Sequence, residues 1–82
     1  MAKSNHLKKI LENDLDSRLT VTDLGRQSGV SGSTLYSILK NDTQGSSKTQ
    51  GDITFAINAF MKKSGIRKRF RTKDIFPDGT GK

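Results

Sequence analysis

Two helix-start signals with a glycine between them lie in the segment 19–41. Thr20 can cap a first helix, and Asp23 follows it at the spacing of a capping box. Ser31 can cap a second helix in the same way. Between the two, Gly29 can adopt the positive φ that ends one helix and redirects the chain within a few residues. The segment therefore predicts two short helices joined by a tight turn, which is a helix-turn-helix.

The apolar residues of this segment fit the same prediction. Leu19 precedes the first cap and can pack against Leu24 inside the helix, as a hydrophobic staple does. Val30 and Leu35 have the same relation at the second helix. Gly25 leaves room for the two helices to approach each other closely. The side chains expected to face inward are Leu24, Val30, Leu35 and Ile38.

On the second predicted helix, the side opposite Leu35 and Ile38 carries no acidic residue. Because Leu35 and Ile38 face inward, helical spacing turns a small, uncharged-to-basic face outward. Such a face can enter a DNA major groove without repelling phosphate. The alternative is a plain αα-hairpin inside a helical core. We expect base readout from Ser31, Gly32, Ser33, Tyr36, Ser37 and Lys40.

The segment 19–41 resembles the helix-turn-helix of the Cro/CI-type (Xre-like) regulators of phages and bacteria, and it covers about a quarter of the chain. The matching residues are Gly25, Gly29, Val30, Leu35, Ile38 and Asn41. Val21 departs from the family pattern, because the family usually has Gln there to help hold the backbone phosphate and the recognition helix. The resemblance implies an all-α, lambda repressor-like bundle of about four to five helices. It also implies a repressor that blocks a promoter by occupying it, without a cofactor.

The net charge of +7 is unevenly distributed along the chain. Residues 62–73, the basic run, contain seven cations and no acid, so the remaining eight cations equal the eight acids. A localised cationic patch is expected of a protein that binds a polyanion. A solvated basic tail, an acidic protein partner and RNA are alternatives, although few aromatic residues stand nearby to stack on RNA bases. Contacts to the DNA backbone are predicted for Arg67, Lys68, Arg69 and Arg71.

Length and composition argue against several other classes of protein. Eighty-two residues suffice for one domain, assigned to residues 1–77, with a disordered tail at 78–82. The chain has no cysteine and one histidine, which leaves no disulfide and no metal site to expect. No nucleophile with an activating base and no carboxylate pair is apparent, so we do not expect an enzyme.

The sequence offers no membrane or export signal. No apolar run approaches the ~20 residues of a membrane span, and the N-terminus lacks the apolar stretch of a signal peptide. We therefore expect a soluble, cytoplasmic protein of a prokaryotic cell, associated with the nucleoid when bound to DNA.

The regions on either side of the helix-turn-helix are predicted to be helix before it and loop after it. Ser4 can cap a helix running to about Asp14. Its apolar stripe consists of Leu7, Ile10, Leu11 and Leu15. The stretch 41–51 has no apolar residue to anchor it, and it is either a loop that orders on DNA or a flexible linker. Further contacts to the DNA backbone are predicted for Thr22, Asn41, Gln44, Ser46, Ser47 and Lys48.

Another helix is predicted from a cap at Thr49 or Asp52 to an end at the Ser-Gly pair 64–65. Its core stripe consists of Ile53, Ala56, Ile57, Phe60 and Met61. Phe55 and Ala59 fall on a neighbouring face, so the apolar arc is wider than one small core requires. This indicates either deep burial or a second surface to cover.

The segment 66–76 carries two conflicting patterns. Ile66 and Phe70 can lie along one helix, and Thr72 with Asp74 indicates a helix start near the end. Alternation between residues 66 and 72 would suit a strand instead. The family that the chain resembles has both, a fifth helix in CI-like members and a dimerising strand in lambda Cro-like ones. We favour the helix.

Together these features predict a sequence-specific double-stranded DNA-binding transcription regulator. One recognition helix reads only a few base pairs, so we expect a homodimer on two half-sites one helical turn apart, ~34 Å. The alternative is a protein-interaction module, such as an antirepressor or antitoxin, with weak or no DNA binding. The apolar excess at Phe55 and Ala59 favours that alternative.

Overall fold

The structure is a computed structural model that describes residues 5–15, 18–40 and 43–77. Within these ranges the chain forms five helices and no strand, which confirms a small all-α bundle. The first helix continues as one stretch of π-helix, Ile10–Asp14. The helices are α1 (Leu7–Lys9), α2 (Val21–Ser28), α3 (Gly32–Leu39), α4 (Ser47–Lys63) and α5 (Thr72–Ile75). The predicted disordered tail, 78–82, lies outside the described residues.

The first helix begins later than the sequence predicts. It starts at Leu7 rather than after Ser4, and the side-chain oxygen Oδ1 of Asn5 accepts a hydrogen bond from the Leu7 N–H (3.0 Å). The π-helical stretch widens the last turn, because the N–H of Leu15 donates to the carbonyl of Ile10 (2.9 Å). The predicted apolar stripe is buried as expected, at Leu7, Ile10, Leu11 and Leu15.

The helix-turn-helix forms as predicted. The Thr20 hydroxyl caps α2 by accepting from the N–H of Asp23 (3.1 Å), and the Ser31 hydroxyl caps α3 in the same way. Gly29 ends α2 with a φ of 78°, a left-handed conformation that a residue with a side chain rarely adopts. Behind the turn, Leu24 and Leu35 are fully buried. The two caps, the glycine turn and this buried contact fix the angle between α2 and α3.

Close packing of α2 on α3 depends on Gly25. A Cβ atom at this position would lie 3.1 Å from the carbonyl oxygen of Val30 and 3.3 Å from Cδ1 of Leu35. We expect Gly25→Val to lower the free energy of unfolding by about 1–3 kcal/mol, because the added atoms overpack this contact. The measurement is urea denaturation followed by circular dichroism.

Gly51→Val on α4 is the matched control, because a Cβ atom there would meet nothing within 4 Å. Its free energy of unfolding should stay unchanged or rise slightly, since glycine is a poor helix former. Equal decreases in the Gly25 and Gly51 variants would contradict a close α2–α3 contact at Gly25.

The fourth helix starts earlier than predicted. It begins at Ser47, and the Ser46 hydroxyl is its cap, accepting from the Thr49 N–H (3.2 Å). The predicted caps at Thr49 and Asp52 are therefore wrong. The polar stretch that follows α3 is correspondingly shorter, because its second half is helical.

Buried amide side chains anchor this stretch in place of an apolar residue. Gln50 is 3% exposed, and its Nε2 donates to the carbonyl of Gln44 (2.9 Å). The Nδ2 of Asn5 donates both to the carbonyl of Ile38 (2.8 Å) and to Oε1 of Gln44 (3.1 Å). These hydrogen bonds tie the described part of the stretch to α3, α4 and the start of α1.

The C-terminal segment is helical only at its end. Residues 66–70 form neither helix nor strand, whereas α5 confirms the predicted helix start near Thr72. Ile75 and Phe76 are fully buried in the common core. The Ile75 carbonyl accepts a hydrogen bond from the N–H of His6 (2.7 Å), which closes the bundle by joining α5 to the start of α1.

Candidate nucleic-acid interface

The outer side of α3 carries the predicted readout residues together. We call Gly32, Ser33, Tyr36, Ser37 and Lys40 the readout face. Tyr36 is 55% exposed, and Ser33 and Lys40 are also exposed, while Ser37 is half-buried. Behind this face Leu35 and Ile38 are fully buried, so the inward and outward sides are divided as the sequence predicts.

The polar groups of this region differ in how far they are already engaged. The Ser31 hydroxyl accepts from the N–H of Thr34 (3.3 Å) and donates to its Oγ1 (2.8 Å), so Ser31 acts as a cap. Within the described residues, the side chains of Ser33, Tyr36 and Lys40 make no hydrogen bond or ion pair. These three side chains can therefore bond a ligand without giving up a contact inside the protein.

The start of α2 lies beside the readout face. Tyr36 and Lys40 line a small open groove of about 360 Å³, with Thr20 and Val21 among the residues on its other side. Thr22, in the first turn of α2, is exposed. Val21 is half-buried in this groove, so the place where the resembled family usually carries a polar amide presents an apolar side chain.

The start of α4 lies beside the end of α3. Gly45 packs against Ile38, since a Cβ atom on Gly45 would lie 3.3 Å from Cδ1 of Ile38. Ser47, the first residue of α4, is exposed. The start of α2 thus lies beside the readout face, whereas the start of α4 is placed by a contact with Ile38 on the buried side of α3. N–H groups of such first turns can donate to phosphate.

Several other predicted backbone contacts are engaged inside the protein. The Ser46 hydroxyl caps α4, and the side chain of Gln44 is half-buried and bonded to Asn5 (3.1 Å). Lys48 is exposed, and its Nζ lies 3.1 Å from a carboxylate oxygen of Asp52. Asn41 lies outside the described residues.

Hydrogen bonds attach the basic run to α4 and α5. The side-chain Nδ2 of Asn58 donates to the carbonyl of Phe70 (2.8 Å), and its Oδ1 accepts from the N–H of Phe70 (2.9 Å). This pair of hydrogen bonds holds one backbone unit of the segment against the middle of α4. Arg67, Arg69 and Arg71 are exposed, so guanidinium groups lie in solvent on both sides of Phe70.

Lys68 is exposed as well, and it leans over an aromatic ring. Its Nζ lies 5.8 Å from the centre of the Phe70 ring, within reach of a cation–π interaction. The four cations of the basic run that are predicted to contact the DNA backbone therefore lie at the surface, on the part of the chain bonded to α4 and α5. The readout face belongs to α3, so the predicted DNA contacts fall on two separate parts of the structure.

Three amide residues that organise this interface were not predicted from the sequence. Gln50 stands three and seven residues before Ile53 and Ile57, so its place on the apolar stripe of α4 was a usable signal. Asn5 and Asn58 carry no comparable signal, because their partners are backbone groups distant in the sequence.

In comparisons with known proteins, no protein-family model, curated protein or solved structure matches the chain. In the described part of the chain, no helix combines the length and the apolar character needed to cross a membrane. The fold and the exposed face define the chain as a small helical domain with a helix-turn-helix.

Proposed function

We propose that this chain is a sequence-specific double-stranded DNA-binding transcription regulator, a repressor of the phage or bacterial Cro/CI kind. The observation that carries the proposal is the readout face. Ser33, Tyr36 and Lys40 stand exposed on α3 without partners among the described residues, and no acid lies on that face. Serine and tyrosine hydroxyls can bond base edges, and a lysine can bond guanine or phosphate.

In this function α3 enters the major groove while other elements hold the backbone. The first turns of α2 and α4 would donate to phosphates through Thr22, Ser47 and their N–H groups. The arginines of the basic run would add sequence-independent attraction. Occupation of a promoter by such a complex blocks transcription without chemistry or a cofactor, and it would take place in the cytoplasm of a prokaryotic cell, at the nucleoid.

The test is selection of binding sites from a random duplex library by the full chain. We expect enrichment of one short motif, bound more tightly than a scrambled duplex by at least about a thousandfold. Fluorescence anisotropy at fixed salt measures both affinities, with a single-stranded RNA of the same length as a further competitor. Equal binding of selected and scrambled duplexes would refute sequence-specific recognition, and a preference for the RNA would refute the duplex as the ligand.

A dimer on DNA is a further prediction. Because one recognition helix contacts only a few base pairs, two half-sites about one helical turn apart, ~34 Å, are needed for selectivity. The selected motif should therefore be an inverted repeat bound by two chains, as measured by native mass spectrometry. One chain per duplex at saturation would contradict this prediction.

The second candidate is a protein-interaction module with weak or no DNA binding. Phe55 favours it, because this side chain on α4 is 75% exposed and packs into no core. Absence of any motif in the duplex selection, together with binding of a protein partner, would decide for this candidate.

A further inference from the structure

An open groove of about 810 Å³ lies between α4 and the segment 69–72. Phe55 stands on its α4 side and, at 75%, is the most exposed large apolar side chain in the described part of the chain. Arg69 and Arg71 stand on the other side, and both are exposed. We call this site the Phe55 groove. An exposed aromatic residue at the edge of a groove, with arginines opposite, has the composition of a binding surface.

Three polar side chains of the groove are already bonded within the protein. The Thr54 hydroxyl donates to a carbonyl of its own helix (2.8 Å), and both ends of the Asn58 amide are bonded to the backbone of Phe70. A carboxylate oxygen of Asp74 accepts from the N–H of Arg71 (2.8 Å). The groups left to recognise a ligand within the described residues are therefore the Phe55 ring, two guanidinium groups and the Thr72 hydroxyl.

These groups define the chemistry of the occupant. Guanidinium groups pair with carboxylates through two parallel hydrogen bonds, and the Phe55 ring needs an apolar side chain to cover it. We propose that the Phe55 groove is the docking site of an acidic peptide segment of a partner protein. Its carboxylates bind Arg69 and Arg71, and one of its apolar side chains packs on Phe55. Aromatic and arginine side chains are the residues that dominate binding energy at protein interfaces.

A second copy of this chain fits the groove less well. Two copies packed around Phe55 would bring Arg69 and Arg71 of each copy towards those of the other, four cations against the two Asp74 carboxylates that line the same groove. Like charges at an interface oppose association.

Single-stranded nucleic acid also fits less well. Stacking platforms for bases use successive aromatic side chains. Phe55 is the one exposed aromatic residue of the groove within the described chain, since Phe70 is half-buried.

The docking site implies a route of control that rests on the proposed DNA binding. Arg69 and Arg71 are also expected to contact phosphates, so the acidic segment and DNA would compete for the same two side chains. Phe55 belongs to the docking site alone, which allows the two functions to be separated by mutation.

The experiment is selection from a random peptide display library on the full chain, with depletion on the Phe55→Ala variant. The enriched peptides are then synthesised with a fluorescent label and measured by anisotropy. We expect them to contain Asp or Glu together with an apolar residue, and Phe55→Ala to weaken their binding at least about tenfold. Replacing their acidic residues with the neutral amides should weaken binding similarly.

Tyr36→Ala is the matched control, since Tyr36 is the other exposed large apolar residue, at 55%. It should leave peptide binding unchanged, while Phe55→Ala should leave duplex binding unchanged. Failure of duplex binding alone refutes the proposed function and not the docking site, because peptide binding is measured without DNA.

Four results would overturn the docking proposal. The first is that no peptide distinguishes the unchanged chain from Phe55→Ala, and the second is that the neutral peptides bind as well as the acidic ones. The third is tight binding of oligothymidylate that Phe55→Ala abolishes, which would assign the groove to single-stranded nucleic acid. The fourth is a dimer in light scattering that Phe55→Ala converts to a monomer, which would assign it to a second copy.

Discussion

Replacing both Ser33 and Tyr36 with alanine should lower the ratio of specific to non-specific affinity. Each base interaction that the change removes should cost about 1–3 kcal/mol of binding free energy on the specific site. Both side chains are exposed on α3 and make no hydrogen bond within the described residues. The buried side of α3, formed by Leu35 and Ile38, is untouched by the change. We therefore expect the fold and the non-specific affinity to remain nearly intact while sequence preference falls.

The measurement is the affinity for the selected duplex and for a scrambled duplex at one salt concentration, with the melting temperature of the same variant. Tyr36→Phe is the control that separates the two parts of the side chain. If the ring contacts a thymine methyl group, Tyr36→Phe should retain most of the sequence preference. If the hydroxyl bonds a base edge, Tyr36→Phe should lose that preference. A ratio that does not fall in the double variant removes α3 as the recognition helix.

A different result would assign Tyr36 to packing. Tyr36 lines the small groove beside Thr20 and Val21, so its ring could serve to cover the start of α2. In that case the melting temperature would fall while the sequence preference stayed unchanged. The two measurements together thus distinguish recognition from packing for the same residue.

The helix-turn-helix was predictable because the signals that form it are local. The hydroxyls of Thr20 and Ser31 bond backbone N–H groups three residues later, and Gly29 supplies the positive φ by itself. Local chemistry of this kind can be read from a single sequence. The same holds for the amphipathic division of α3 into a buried side and the readout face.

The anchoring of the stretch before α4 and the course of the C-terminal segment were not predictable in the same way. Asn5 bonds to Ile38, and Asn58 bonds to Phe70, across long stretches of sequence. The position of an amide residue in the sequence does not indicate which distant backbone group its side chain will bond. Gln50 is the partial exception, since a polar residue on an apolar stripe indicates that some buried partner must exist.

The segment 66–70 illustrates why helix and strand patterns both failed there. Asn58 bonds both polar backbone groups of Phe70, so this residue needs neither a helical partner nor a neighbouring strand. Burial of Ile75 and Phe76 then fixes the far end of the segment in the core. The cations on either side of Phe70 are left exposed, which is the arrangement that the proposed backbone contacts require.

Replacing Arg67, Lys68 and Arg69 with alanine should weaken binding to specific and scrambled duplexes alike. These side chains are exposed on a segment held against α4, and they would meet phosphates rather than bases. The dependence of log affinity on log salt should flatten by about 0.9 for each phosphate interaction that the change removes. Anisotropy titrations over a series of salt concentrations measure this slope, and both duplexes should give the same change.

The charge-matched control is replacement of Lys62, Lys63 and Lys73, three exposed cations of the same basic run outside the predicted contact set. It removes the same net charge, so any purely long-range attraction falls equally in both triple variants. A larger change of slope in the first variant therefore measures direct contacts. Equal changes would mean that only the total charge matters, and an unchanged slope would mean that the segment is structural or faces a protein instead of DNA.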